Sequence, residues 1–135
     1  MANGLKIGDI MVRNPVAAEM WQPISYVREV MLAEAFSFLP VCDGGEWKVV
    51  ADYSIAQFLK RPDIQLGRKD RLILPLKEAI ERGFITLEEP ICCAATTPPS
   101  DVGVKLQGLP VLVLKSGAEA DDERLIGILT AFDLL

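Results

Sequence analysis

An imperfect internal repeat constrains this chain more than any other feature of it. Asn14-Pro15-Val16-Ala17-Ala18 returns as Glu89-Pro90-Ile91-Cys92-Cys93, and Pro23, Ser25 and Val27 return at the same spacing as Pro98, Ser100 and Val102. Leu39-Pro40-Val41 returns as Leu109-Pro110-Val111, and Val49-Val50-Ala51 as Ile128-Leu129-Thr130. Between these anchors the second copy has a shorter helix and a longer hairpin, tipped by the solvated acidic run Ala118-Glu119-Ala120-Asp121-Asp122-Glu123. Each copy reads strand, helix, strand, hairpin, strand, helix in about 60 residues, too few to bury a stable core alone. Two copies packed sheet to sheet would share one core and create two quasi-equivalent clefts.

The local signals fill in that frame. Leu5-Lys6-Ile7-Gly8-Asp9-Ile10-Met11 suits a short helical turn with Leu5, Ile7 and Ile10 inward, and Pro15 ends it by pushing Asn14 out of the helical region. Val16-Ala17-Ala18 reads as a short strand. Pro23 opens a helix as its first residue, with Ile24, Val27, Met31 and Ala35 at helical spacing. Phe38 to Cys42 and Trp47 to Ala51 are strands joined through Asp43-Gly44-Gly45, a hairpin signal. A helix over Ser54 to Leu59 stops at Arg61-Pro62. A polar connection, Asp63 to Arg71, follows before Pro75 opens a helix over Leu76 to Arg82, with Gly83 as its stop. This divides the chain into residues 1–60 as a first repeat, 61–75 as a linker and 76–135 as a second repeat.

Composition narrows the function. A net charge of −5 argues against a general nucleic-acid binder, whose affinity rests on neutralising phosphate. No apolar run approaches the roughly 20 residues of a membrane span, and the N-terminus lacks the pattern of a signal peptide, so the expected location is the cytoplasm, with no membrane insertion. The three cysteines include adjacent Cys92 and Cys93, which point to opposite faces of a strand and could not easily share a metal. With no histidine and no C-x-x-C, no metal site is expected, and the thiols read as buried and reduced. Trp21 and Trp47 read as residues that cover core. Neither a glycine-rich phosphate loop nor a nucleophile–base pairing is recognisable, which argues against an enzyme.

The chain closes on Leu125-Ile126-Gly127-Ile128-Leu129-Thr130-Ala131-Phe132-Asp133, a buried strand running into a helix start. There Thr130 would cap free backbone N–H groups and Asp133 would favour the helix dipole. Equally, their oxygens would face a ligand hydroxyl or phosphate at that N-terminus. At the matching places the first repeat has Lys48, Ala51 and Ser54 instead of Gly127, Thr130 and Asp133.

The ordered set Gly8-Asp9-Ile10-Met11, Asn14-Pro15-Val16 and Phe36-Ser37-Phe38-Leu39-Pro40-Val41, with the closing stretch, resembles a CBS domain occurring twice, a tandem pair called a Bateman module. The resemblance implies an α+β fold of two β-α-β-β-α units and a regulatory module that is not an enzyme. It also implies a cleft for an adenosine-containing ligand such as AMP, ADP, ATP or S-adenosylmethionine, with no resident cofactor. Carried over, Asp133 would accept from the ribose hydroxyls and Thr130 would lie near ribose and phosphate. Asn14, Pro15, Val16 and Ala17 would face them, Phe36 and Ser37 would close the pocket, and Arg13 is the best candidate to meet a phosphate. Basic residues near this site are few, so a triphosphate fits worse than a monophosphate, adenosine or S-adenosylmethionine. The first-repeat cleft, completed by Glu89-Pro90-Ile91 and Leu106-Gln107, lacks the ribose carboxylate. A structural or dimerisation module with decayed sites is the alternative. The resemblance further implies a homodimer through helices, and Met31, Leu32, Phe58 and Leu59 are more apolar residues than one helical face can hide.

Overall fold

A computed structural model describes residues 4–103, 110–116 and 123–130. In chain order the elements are α1 (Ile7–Ile10), β1 (Val12–Arg13), α2 (Ile24–Glu34), β2 (Phe38–Asp43), β3 (Glu46–Ala51), α3 (Asp52–Lys60), α4 (Arg68–Ile73), α5 (Leu76–Glu81), β4 (Ile91–Cys93), α6 (Ser100–Gly103), β5 (Val111–Ser116) and β6 (Glu123–Leu129). The chain is α+β. Its contacts divide it into two compact units, one of Ala17–Glu88 and a discontinuous one of Met1–Val16 with Glu89–Leu135. The amino-terminal segment thus folds with the second repeat.

The repeat reappears as topology. In the discontinuous unit the sheet order is β1-β6-β5-β4, with β4 parallel to β5 and the other pairs antiparallel. In the unit of residues 17–88, β2 and β3 form an antiparallel pair, Ala18 bridges Val41 in parallel, and Glu88 bridges Val49 antiparallel. Each unit therefore lays an outer segment along its last strand and a parallel one along its middle strand. Val16-Ala17-Ala18, expected as a strand, contributes only the Ala18 bridge, whereas the β1 pairing to β6 was not expected.

Local chemistry explains the elements of the unit of residues 17–88. The hairpin register sets Asp43 opposite Glu46, and its two loop residues Gly44 and Gly45 have φ of 59° and 89°. Positive φ at both loop positions is the turn whose twist matches the flanking strands, and glycine adopts it without a Cβ penalty. Pro23 sits one residue earlier than expected, at the N-cap of α2, and Pro75 is the N-cap of α5, which starts at Leu76 as expected. The two caps bridge one another, and the first free donor of each helix is met by the other segment: Ile24 N–H donates to Leu74 O at 2.9 Å and Leu76 N–H to Gln22 O at 2.9 Å. Ile24, Val27 and Met31 are buried as the helical spacing requires. Ala35 is not: it is the C-cap, exposed, with φ of 57°. Its left-handed turn lets Phe36 N–H reach back to Met31 O at 3.0 Å and close the helix.

The stretch expected as a polar connection runs into α4, which holds Arg71, only 7% exposed. Its guanidinium donates to the carbonyls of Leu66 at 2.7 Å, Phe58 at 2.7 Å and Ile64 at 2.8 Å. A buried cation is tolerated because its forked donors satisfy carbonyls at the end of α3 and in the turn after it. Phe58 stacks on Phe84 with centroids 5.5 Å apart, in a core that includes Leu39, Val41, Val50, Leu76 and Ala79. Phe58 and Met31, taken from sequence as candidates for an outer face, are buried in this core, while Leu32 is 64% exposed.

In the discontinuous unit, Ile7 of α1 packs with Val111, Val113 and Leu129. Leu5, expected inward, is 45% exposed, because it precedes the turn that delivers Ile7. The free cysteines also differ from expectation: Cys42 and Cys92 are exposed, since they take outward-facing positions near the strand ends, and Cys93 is half-buried. Burial pushes the Cys93 thiol up from its ordinary pKa. Trp21 is 67% exposed, its indole N–H donating to the Glu19 carboxylate across the turn before α2.

Candidate functional site

The residues expected to form a ligand site fall in both units. In the discontinuous unit, β1 pairs with β6 so that Val12 faces Ile128 and Arg13 faces Gly127. Gly127 has a steric reason to be glycine: a Cβ there would lie 2.2 Å from Met11 Sδ and 2.8 Å from its Cγ. Met11 crosses the strand where a side chain would otherwise stand. The turn before it is equally close, since Ile7 N–H donates to Thr97 O and Gly8 N–H to Ala95 O, both at 2.8 Å. Arg13 leaves this clamp exposed, with Nη2 donating to Gly8 O at 3.0 Å. That bond uses one guanidinium donor and leaves others for an anion.

Asn14 then turns the chain away with φ of 52°, a left-handed conformation that asparagine tolerates better than most residues. Asn14 and Val16 are exposed, and Pro15 and Ala17 are half-buried. Thr130 follows β6 and is exposed. It lies three residues beyond the Gly127–Arg13 pairing, about 10 Å along an extended strand. The antiparallel register therefore brings Arg13 beside Gly127, carries Asn14 towards the start of β6, and leaves Thr130 at its end. Asp133, Leu106, Gln107 and the acidic tip at 118–122 lie outside the described residues.

In the unit of residues 17–88, Phe36 is half-buried and packs against the core. Ser37 is exposed, and its carbonyl accepts from Asp52 N–H at 2.9 Å, which fixes the start of α3. At the counterpart of the Thr130 end, Ala51 is fully buried and caps α3 without a side-chain bond, and Ser54 is half-buried. Lys48, in the place of Gly127, has its ammonium 3.8 Å from the Glu46 carboxylate.

Two residues at this end carry a feature that sequence reasoning missed. The Tyr53 hydroxyl donates to one carboxylate oxygen of Glu88, and that bond holds the phenol above its ordinary pKa. The other oxygen, Glu88 Oε2, is buried and has no hydrogen-bond partner. The available signal was positional, because Glu88 stands before Glu89-Pro90 as Arg13 stands before Asn14-Pro15. On the same unit α2 and α3 flank an apolar groove of about 350 Å³ lined by Met31, Leu32, Ile55 and Leu59, with Arg28 and Asp52 at its rim. Among the described residues no group of three or more His, Cys, Asp or Glu side chains could hold a metal ion, and no helix is long and apolar enough to cross a membrane.

No protein-family model matches the chain, and no curated protein sequence does. Solved structures do match. A Vibrio cholerae protein bearing the name AcuB aligns with a TM-score of 0.69 at 17% identity, over 96% of this chain and 87% of that one. The CBS domain pair of protein MJ0100, in complex with 5′-methylthioadenosine and S-adenosyl-L-methionine, aligns with a TM-score of 0.66 at 18% identity, over 96% and 92%. The CBS-pair protein CBSX2 from Arabidopsis thaliana aligns with a TM-score of 0.66 at 20% identity, over 97% and 92%, and CBSX2 is also known in complex with AMP. The chain has the fold of a tandem CBS domain pair.

Proposed function

We propose that this chain is a regulatory module, not an enzyme, that senses an adenosine-containing small molecule. The observation that carries the reading is the end of β6. There Gly127 admits Met11, Arg13 stands alongside with donors to spare, and Thr130 emerges exposed ahead of Asp133 in the sequence. Thr130 and Asp133 would hold the ribose, Arg13 a phosphate, and Asn14, Pro15, Val16, Ala17, Phe36 and Ser37 complete the candidate set. The fold relatives bound to 5′-methylthioadenosine, S-adenosylmethionine and AMP support the ligand class. A structural module with decayed sites is the second reading, favoured by Lys48, Ala51 and Ser54 at the matching end of β3.

Thermal denaturation with AMP, 5′-methylthioadenosine and S-adenosylmethionine separates the two. A ligand at 100 times its dissociation constant stabilises the fold by about 2.7 kcal/mol, a shift of several degrees in Tm for a domain of this size. Asp133→Ala removes most of that shift and costs the free protein no more than about 1 kcal/mol, while Ser54→Ala keeps it. If no adenosine compound moves the parent's Tm, the module is structural.

The module is further proposed to act in the cytoplasm as a homodimer through the α2 and α3 faces, where Leu32 is exposed beside the apolar groove. Arg28 and Asp52 on the groove's rim give it the self-complementary charge that a two-fold contact needs. Light scattering at tens of micromolar should give twice the chain mass, and Leu32→Asp should halve it.

A further inference from the structure

Helix α3 is amphipathic, yet its exposed stripe is not uniformly polar. Ile55 and Phe58 face the core, while Tyr53, Ala56, Gln57 and Lys60, three or four residues apart, share the outward face. Tyr53 is held there by the bond from its hydroxyl to Glu88. Two depressions meet along this stripe, and Tyr53 and Ala56 line both. One is the apolar groove against α2, about 350 Å³, walled by Met31, Leu32, Ile55 and Leu59. The other is broader, about 680 Å³, and is lined by Gln57, Lys60, Arg61 and Pro62. Charge follows the same gradient. Arg28 and Asp52 offset one another at the rim of the groove, and Arg61 is held to Asp63 by two bonds, at 3.1 and 2.6 Å. Lys60 has no ion-pair partner among the described residues, which leaves the broader depression with a net positive end.

An apolar groove leading to an unmatched ammonium fits an apolar chain that ends in an anion. The groove's size, at the low end of the ~300–1,000 Å³ of ligand pockets, suits one short chain. We propose that the joined depressions bind a single-chain amphiphile with an anionic head, a medium-chain aliphatic carboxylate. Its chain lies in the groove between α2 and α3 and its head meets Lys60. The site uses none of the residues assigned above to the adenosine ligand. It does lie on the face proposed for the second copy, so the amphiphile and the second copy compete for the groove. The competition rests on the homodimer proposed above; the binding does not.

Calorimetric titration of the whole chain with octanoate, below its micellar range and at low salt, tests the site. Octanoate should bind, and hexanoate about tenfold more weakly, because two fewer methylenes are buried. Lys60→Gln should weaken octanoate about threefold, the scale of an exposed ion pair, and leave neutral octanol unchanged. Ala56→Glu, a good helix former at an exposed position, should abolish binding of both by setting a carboxylate between the two depressions. The site is overturned if octanoate does not bind, if hexanoate binds as tightly, or if Ala56→Glu binds as the parent does. Octyltrimethylammonium bound as tightly as octanoate overturns it too. Light scattering with and without octanoate reads the competition, and the mass should fall from two chains to one as octanoate saturates. A dimer that binds octanoate and keeps its mass overturns the competition. A chain already monomeric overturns the homodimer, and the titration still decides the site.

Discussion

The ends of β6 and β3 occupy matching places in their units and are built from different materials. β6 carries a glycine where β1 crosses it, so that Met11 lies on the strand and α1 is drawn against Ala95 and Thr97. β3 carries Lys48 at that place and meets its outer segment through the Val49–Glu88 bridge. The unit of residues 17–88 is instead tied together from behind, where Arg71 gathers three carbonyls from the end of α3 and the turn that follows. A repeated topology therefore does not imply a repeated stabilising device. What is conserved between the two units is strand order, which backbone hydrogen bonding enforces, while side-chain devices have diverged.

The difference can be broken most severely at Arg71. Arg71→Ala removes three charge-assisted bonds and leaves carbonyls unsatisfied, so it should cost about 3 kcal/mol or more. Urea denaturation measures that loss, and amide exchange should locate it within residues 17–88. Arg71→Lys should recover only part of it, because an ammonium cannot match a forked, planar donor.

Gly127→Ala probes the other device. Its Cβ would lie 2.2 Å from Met11 Sδ and 2.8 Å from its Cγ, so Met11 must repack, which predicts a loss of about 1–3 kcal/mol from overpacking. Met11→Ala in the same chain should recover much of that loss, and non-additivity in the double-mutant cycle is the readout. If Gly127→Ala proved neutral, the clamp would not distinguish the two ends.

The smallest effect has the opposite sign. Ala35 adopts a left-handed φ of 57° without the freedom of glycine, so Ala35→Gly should stabilise the chain by up to about 1 kcal/mol. A higher urea midpoint at unchanged slope would confirm it. Asn14, with φ of 52° in the other unit, should gain less from glycine, since asparagine already tolerates that region.

Much of the fold was legible because its signals are local. Positive φ at Gly44-Gly45 follows from the hairpin dipeptide, and the buried stripe of Ile24, Val27 and Met31 from helical spacing. The likeness of the two units follows from the repeat itself, although the pairing of β1 with β6 was not read from it. One group of misreadings shares a cause: Leu5, Ala35, Trp21, Cys42 and Cys92, placed inside by type or by helical spacing, fall at element ends or outward-facing positions where the neighbouring segment leaves them uncovered.

The candidate site divides the same way. Thr130 and Arg13 were recognisable because each stands in a short ordered motif. Tyr53 and Glu88 were not, because their partnership spans 35 residues and depends on Glu88 being laid along β3. Arg71 looked like one more charge in a polar connection until the chain brought Phe58, Ile64 and Leu66 carbonyls around it. By itself the sequence determined the repeat, the helices α2, α3 and α5 and the Gly44-Gly45 hairpin, and the absence of the threonine and aspartate from the first copy. All of these depend on residues near one another in the chain. Only the tertiary structure decided that residues 1–16 fold with 89–135, that Gly127 gives Met11 its room, and where a buried carboxylate oxygen lacks a donor, because each depends on which distant segment arrives alongside.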